Sequence, residues 1–182
     1  MDLKKILKES LYWLKRNYHK YNFFEERDIV WTLQVHLIEK IKNSNFKVFS
    51  EYPVSLCLED EKDEKKYYSD LAILENNIVK ALIQFKYEPN KGRKEDFRPS
   101  KLNYPTIFWD NKKGYSSVIR DIKIVKAFVD QNKNNVGYSI FIDEGGRFYN
   151  MHKHDKPRNA KWNTSWKKGM AVLIAEYSSC KG

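Results

Sequence analysis

Cysteine, glycine, proline and long apolar runs are all scarce in this chain, and each scarcity removes a class of explanation. Two cysteines occur in 182 residues, Cys57 and Cys180, and they match no metal-ligand or redox spacing. That argues against a disulfide scaffold and fits a reducing interior, so a cytoplasmic protein is expected. No apolar run approaches the ~20 residues a membrane span needs, and no membrane partner is expected. The N-terminal stretch MDLKKILKESLYWLKRNYHKY is amphipathic and charged. It lacks the uninterrupted apolar region and small-residue cleavage site of a signal peptide. With seven glycines and five prolines, no Gly-rich phosphate loop stands out. Neither does a Ser-His-Asp ordering, a catalytic Cys-His pair, a repeat or a low-complexity tract.

What is abundant is positive charge. Lys and Arg number 34 against 24 Asp and Glu, a formal net charge of +10, with a pI near 9.4. Such an excess favours a polyanionic partner through phosphate neutralisation and counterion release. A generally Lys-rich composition would give the same number, so charge alone does not decide the partner. The length suits one domain, 1–182, with residues 1–21 as an N-terminal helical extension.

Periodicity gives the organisation. Leu3, Ile6, Leu7, Leu11 and Leu14 recur at helical spacing, and a second helix is predicted over about Glu25–Lys42. Its stripe is Ile29, Val30, Leu33, Leu37, Ile38 and Ile41, and Glu25, Glu26 and Asp28 crowd its first turn, where the helix dipole favours acid. Strands follow at Phe46–Val54, Tyr67–Leu74 and Val79–Tyr87, with the charged run Glu59–Lys66 as a solvated hairpin loop. After a long polar connection, Glu88–Gly114, a third helix is expected over Tyr115–Asn132 and two strands at Gly137–Asp143 and Met170–Tyr177. The segment between those strands reads as irregular and basic. The order is α-α-β-β-β-α-β-β, an α/β fold with a mixed sheet and a helical crossover.

The chemistry concentrates in YYSDLAILENNIVKALIQFKYEP. Asp70 lies on one strand of a hairpin, and Gln84 and Lys86, two apart, project from one face of the other. An Asp followed after a tight hairpin by an acid-x-Lys strand resembles the PD-(D/E)XK nuclease superfamily. Ser69 stands where that family usually has Pro, and Gln84 where it has an acid. IRDIKIVKAFVDQNKNNVGYSIFIDEGGRFY looks like the helix-plus-strand half that follows the active hairpin, so the resemblance covers about residues 22–177.

The resemblance implies a restriction-endonuclease-like mixed central β-sheet flanked by helices. It also implies hydrolysis of phosphodiester bonds, with DNA the expected substrate, assisted by Mg²⁺ or Mn²⁺. The implied catalytic set is Glu26, Asp70, Gln84 and Lys86, with Glu26 on the stripe it shares with Val30, Leu33 and Leu37. Metal ligands would be Glu26, Asp70, Gln84 and the Phe85 carbonyl, with Lys86 beside the attacking water. Gln for Glu removes a negative charge and should weaken affinity for a hard cation. Glu26 would supply the missing charge, or Glu88 could reach in. Otherwise the chain is a catalytically impaired nucleic-acid-binding module on the same fold.

Lys91, Arg93, Lys94, Arg98 and Lys101 follow the motif and, with Arg120, are the expected nucleic-acid contacts. Lys123 and Lys126 could add to them. His152 and His154 resemble a metal pair only superficially, since no third ligand follows at useful spacing. A homodimer, the arrangement with which restriction-like enzymes often cut two strands, is left open.

Overall fold

The computed structural model describes residues 2–90 and 118–178. Two helices come first, α1 (Leu3–Asn17) and α2 (Glu26–Ile41), joined through a 3₁₀ turn at Tyr18–Lys20. Three long strands follow: β1 (Phe46–Leu56), β2 (Lys65–Glu75) and β3 (Ile78–Glu88). Then come α3 (Val118–Gln131), β4 (Val136–Asp143), the short α4 (Arg147–His152), β5 (Ala160–Asn163) and β6 (Ala171–Ser178). The α/β class, the mixed sheet and the flanking helices are as expected. The order differs in that α4 and β5 occupy the segment read as irregular. β5 has four residues, and Lys161 and Asn163 frame its single large apolar side chain, Trp162, so too little alternation exists to signal a strand.

The six strands lie in the order β1-β2-β3-β4-β6-β5. β3 and β4 pair in parallel while the other neighbours are antiparallel, so the chain crosses over between them and α3 lies on that crossover. The β2–β3 hairpin turns at Asn76 and Asn77, with φ of 51° and 64°. Asn tolerates this left-handed geometry, which matches the twist of the strands.

Helices cover both faces. Leu7 and Leu14 of α1 and Ile29, Leu33 and Leu37 of α2 join Leu71, Ile73, Ile83, Phe85 and Ile140 in one buried cluster. The first helix is therefore part of the same core as the sheet. On the other face Ile124, Val125, Phe128 and Val129 of α3 pack on Leu82, Val54 and Leu56. Phe148 of α4 joins Val118, Phe141 and Leu173 beside them. The helix–sheet approach is closest at Gly137, where a Cβ would sit 2.4 Å from Val125 Cγ1. One stripe residue departs from expectation, since Ile38 is 48% exposed. With Trp31 and Val35 it forms a second apolar row on the outer side of α2.

Candidate active site

The β2–β3 ladder ends at the pair Leu71–Ile83. Beyond it β2 continues against β1 as far as Lys65, while β3 continues against β4 as far as Glu88. The sheet forks there, and backbone groups that face the fork need other partners. Side chains provide them. Phe85 N donates to Asp70 Oδ2 at 2.6 Å, and Gln84 Nε2 donates to the Tyr68 carbonyl at 3.0 Å.

Strand alternation sends Gln84 and Lys86 toward the α3 side, because Ile83 and Phe85 belong to the α1–α2 core and Leu82 to the α3 core. Lys86 Nζ lies 3.1 Å from Asp121 Oδ2 on α3 and 3.5 Å from Glu26 Oε1 on α2. It also donates to its neighbour's carbonyl, Phe85 O, at 2.9 Å. Local hydrogen bonds set the entry of α2. The Asp28 carboxylate accepts Phe24 N at 2.7 Å and Glu25 N at 2.9 Å, and Tyr87 OH donates to Phe23 O at 3.3 Å. Glu26 is thereby fixed at the first turn, pointing at Lys86.

The structure thus brings together Glu26, Asp70 and Lys86 from three elements. Gln84 flanks them, its amide nitrogen committed to Tyr68. Two further acids were not anticipated. Asp121 is buried against Lys86, and its Oδ2 has no aligned hydrogen-bond donor among the described residues, so the contact is an ion pair. Its sequence signal is an acid on the apolar stripe of α3, beside Val118, Ile122 and Val125. Glu51 is the second. The β1–β2 register places it opposite Asp70, between the pairs Ser50–Leu71 and Tyr52–Ser69. Its φ of 50° is rare for a non-glycine residue within a strand, and nothing in the local sequence announces it.

Electrostatics follow from burying more acid than base. Burial pushes the Asp121 carboxyl up to about 6, against the pull of Lys86. Burial likewise raises Glu26 to about 8, with Lys86 opposing and Asp70 and Asp121 adding to the rise. Asp70 is raised by burial too, opposed by Lys86 and the Phe85 N–H, while Glu51 adds a smaller push. Burial alone would pull the Lys86 ammonium down, but Asp121, Glu26 and Asp70 outweigh it and hold it above the usual lysine range. Lys86 is a fixed cation in a pocket that is short of positive charge.

No protein-family model, curated protein or solved structure matches this chain. The residues themselves therefore carry the reading. Among the described residues, no three His, Cys, Asp or Glu side chains stand close enough to share one metal ion. An ion would rest on the carboxylates of Asp70 and Glu26 with the Phe85 carbonyl and the Gln84 amide oxygen. Two carboxylates completed by water and substrate oxygens are what Mg²⁺ ordinarily takes from protein. The donor set fits on that basis, and the surplus of buried carboxylate favours any added cation.

Other expected residues fare differently. Lys91, Arg93, Lys94, Arg98 and Lys101 lie outside the described residues. Arg120 places its guanidinium 5.7 Å over the Tyr67 ring. Lys123 pairs with Asp60 at 2.8 Å and Lys126 pairs with Glu59, so both are already matched by acids of the β1–β2 loop. Glu88 acts on Asp143, raising its carboxyl, and is not among the groups that shift Asp70. No helix among the described residues is long and apolar enough to cross a membrane.

Proposed function

We propose that this chain is a metal-dependent nuclease that hydrolyses phosphodiester bonds in DNA on a restriction-endonuclease-like core. The observation that carries the reading is the lysine of the β3 strand, held between Asp121 at 3.1 Å and Glu26 at 3.5 Å, beside Asp70 at the sheet fork. The mixed sheet, with a crossover between β3 and β4, supports the fold.

The roles follow from the charges. Asp70 and Glu26, with the Phe85 carbonyl and the Gln84 amide oxygen, would hold Mg²⁺ or Mn²⁺. That ion would supply an activated water and screen the phosphate charge. Lys86 stays protonated because three acids surround it, so it donates hydrogen bonds and stabilises developing negative charge instead of serving as a general base. Asp121 positions it. A phosphodiester approaching this acid-rich pocket without a cation would be repelled, which makes activity in chelator the sharpest control.

The test is cleavage of plasmid and single-stranded DNA with Mg²⁺ or Mn²⁺. Wild-type chain is expected to cut, and Lys86→Ala and Asp70→Ala to lose cutting by at least a hundredfold, the scale of losing one preorganised charge. Cleavage indifferent to both substitutions sinks the assignment. A second reading, a nucleic-acid-binding module that does not cut, is favoured by one observation. The Gln84 amide closes the fork onto Tyr68, a structural duty that needs no metal. It predicts salt-sensitive binding, no cleavage in any metal, and little loss of binding in Asp70→Ala.

A further inference from the structure

The positive charge of the described surface is not spread evenly. On α1, α2, α3 and β2, and at the C-cap of α2, seven lysines meet acids, while Lys15 donates to Ser165 and Lys66 lies over the Tyr68 ring. Lys4 and Lys8 meet Glu176, Lys40 meets Glu9 and Lys42 meets Glu39. Lys65 meets Glu61, while Lys123 and Lys126 are paired as described above. The segment 147–168 contrasts with this, with seven Lys and Arg against a single acid, Asp155. Lys153, Lys156, Arg158, Lys161, Lys167 and Lys168 are exposed. None has a carboxylate partner among the described residues, and Lys156 spends its ammonium on the Ala160 carbonyl.

Topology gives that charge a direction. One row of the sheet runs Lys86, Phe141, Leu173, Trp162 across β3, β4, β6 and β5. Three strand steps put β5 about 14 Å from Lys86. Glu88 pairs with Asp143, and Asp143 with Ala171. The β5–β6 turn carrying Lys167 and Lys168 therefore lies at the same end of the sheet as Lys86. A strand of duplex advances about 3.4 Å per phosphate, so the separation corresponds to about four nucleotides.

We infer that the β5 edge, from Lys153 through Lys168, is a phosphate-binding rail for duplex nucleic acid that enters the candidate site over the carboxyl ends of β3 and β4. The inference rests on the nucleic-acid reading of that site for the identity of the polyanion, though not on cleavage. Contacts of this kind fix position without reading sequence. They are formed by unpaired, exposed cations, which is what sets this edge apart from α3.

The test is fluorescence anisotropy of a labelled 20-base-pair duplex with Ca²⁺ held at one fixed concentration, and with KCl varied between 50 and 200 mM. The triple variant Lys161→Gln/Lys167→Gln/Lys168→Gln should lower the slope of log Kd against log salt by about 2 to 3, about 0.9 per lost phosphate contact. Lys123→Gln/Lys126→Gln, whose cations already have acid partners, should leave it unchanged. The inference is overturned by a triple variant with the wild-type slope, by an equal loss in the α3 control, or by wild-type chain that does not bind. It is also overturned if phosphatidylserine vesicles capture the chain through these lysines and the duplex does not. A reduced slope in the triple variant, with no cleavage in any metal, leaves the rail standing and removes the hydrolytic reading.

Discussion

Replacing Asp121 with Asn tests the buried charge cluster without changing its shape. Asn keeps the side-chain volume and can turn its amide oxygen toward Lys86, but it cannot ionise. In the native protein burial holds Asp121 at about 6, against an ordinary 3.8. An acid whose folded pKa lies above its unfolded value binds more protons when folded. Its contribution is fully present below the unfolded value and is lost as pH rises through the folded one. Here the window runs from about 4 to about 6. A shift of about two units, at about 1.4 kcal/mol each, corresponds to about 3 kcal/mol of stability lost across it. Asp121→Asn lacks this loss, and Glu26, relieved of one negative neighbour, titrates lower in the variant. The variant should therefore gain on the wild type by up to about 3 kcal/mol between pH 4 and pH 7, whatever its offset at low pH. Urea unfolding at half-unit pH steps measures both curves, with the slope in denaturant checked for constancy. Parallel curves across that window would refute the claim that Asp121 is buried at the expense of its charge.

Gly137→Ala drives a methyl to within 2.4 Å of Val125 Cγ1. It should cost about 1–3 kcal/mol in urea unfolding, with Val125→Ala recovering part of that in the double variant; simple additivity would mean that α3 and β4 are not in close contact. Gln84→Glu sets a carboxylate against the Tyr68 carbonyl in place of a donor. At pH 8 it should lose about 1–3 kcal/mol, and Mn²⁺ should restore more stability to it than to the wild type; equal metal effects would remove Gln84 from the proposed ligand set. Leu33→Ala empties a fully buried position between α2 and the sheet and should cost about 2–5 kcal/mol. A cost under 1 kcal/mol there would place α2 elsewhere.

The hairpin that carries Asp70 and Lys86 was legible because it is local, with two Asn at the turn and apolar runs on both strands. Glu26 was legible through the stripe it extends. Asp121 was not, because its meaning depends on the crossover that lays α3 over β3, and helix periodicity alone reads an acid beside Arg120 as solvated. The signal existed, an acid at a core-facing position next to Ile122 and Val125, but an acid in the first turn of a helix has an ordinary explanation. Glu51 shows a harder limit. Its left-handed backbone appears only once β1 is paired, so composition and spacing carry no trace of it. β5 was lost for another reason, since a four-residue edge strand takes its identity from its partner.

The forked sheet has a mechanical consequence. Asp70 belongs to the ribbon of β1 and β2, and Lys86 to the slab formed by β3, β4, β6 and β5. Strand-to-strand pairing joins the two along the short stretch from Leu71–Ile83 to the Asn turn, and α2 and α3 pack across both. The gap between that carboxylate and that ammonium is therefore an angle between two plates, closed at its mouth by two side-chain stitches. A change in that angle would move the Asp70 carboxylate relative to the Lys86 ammonium.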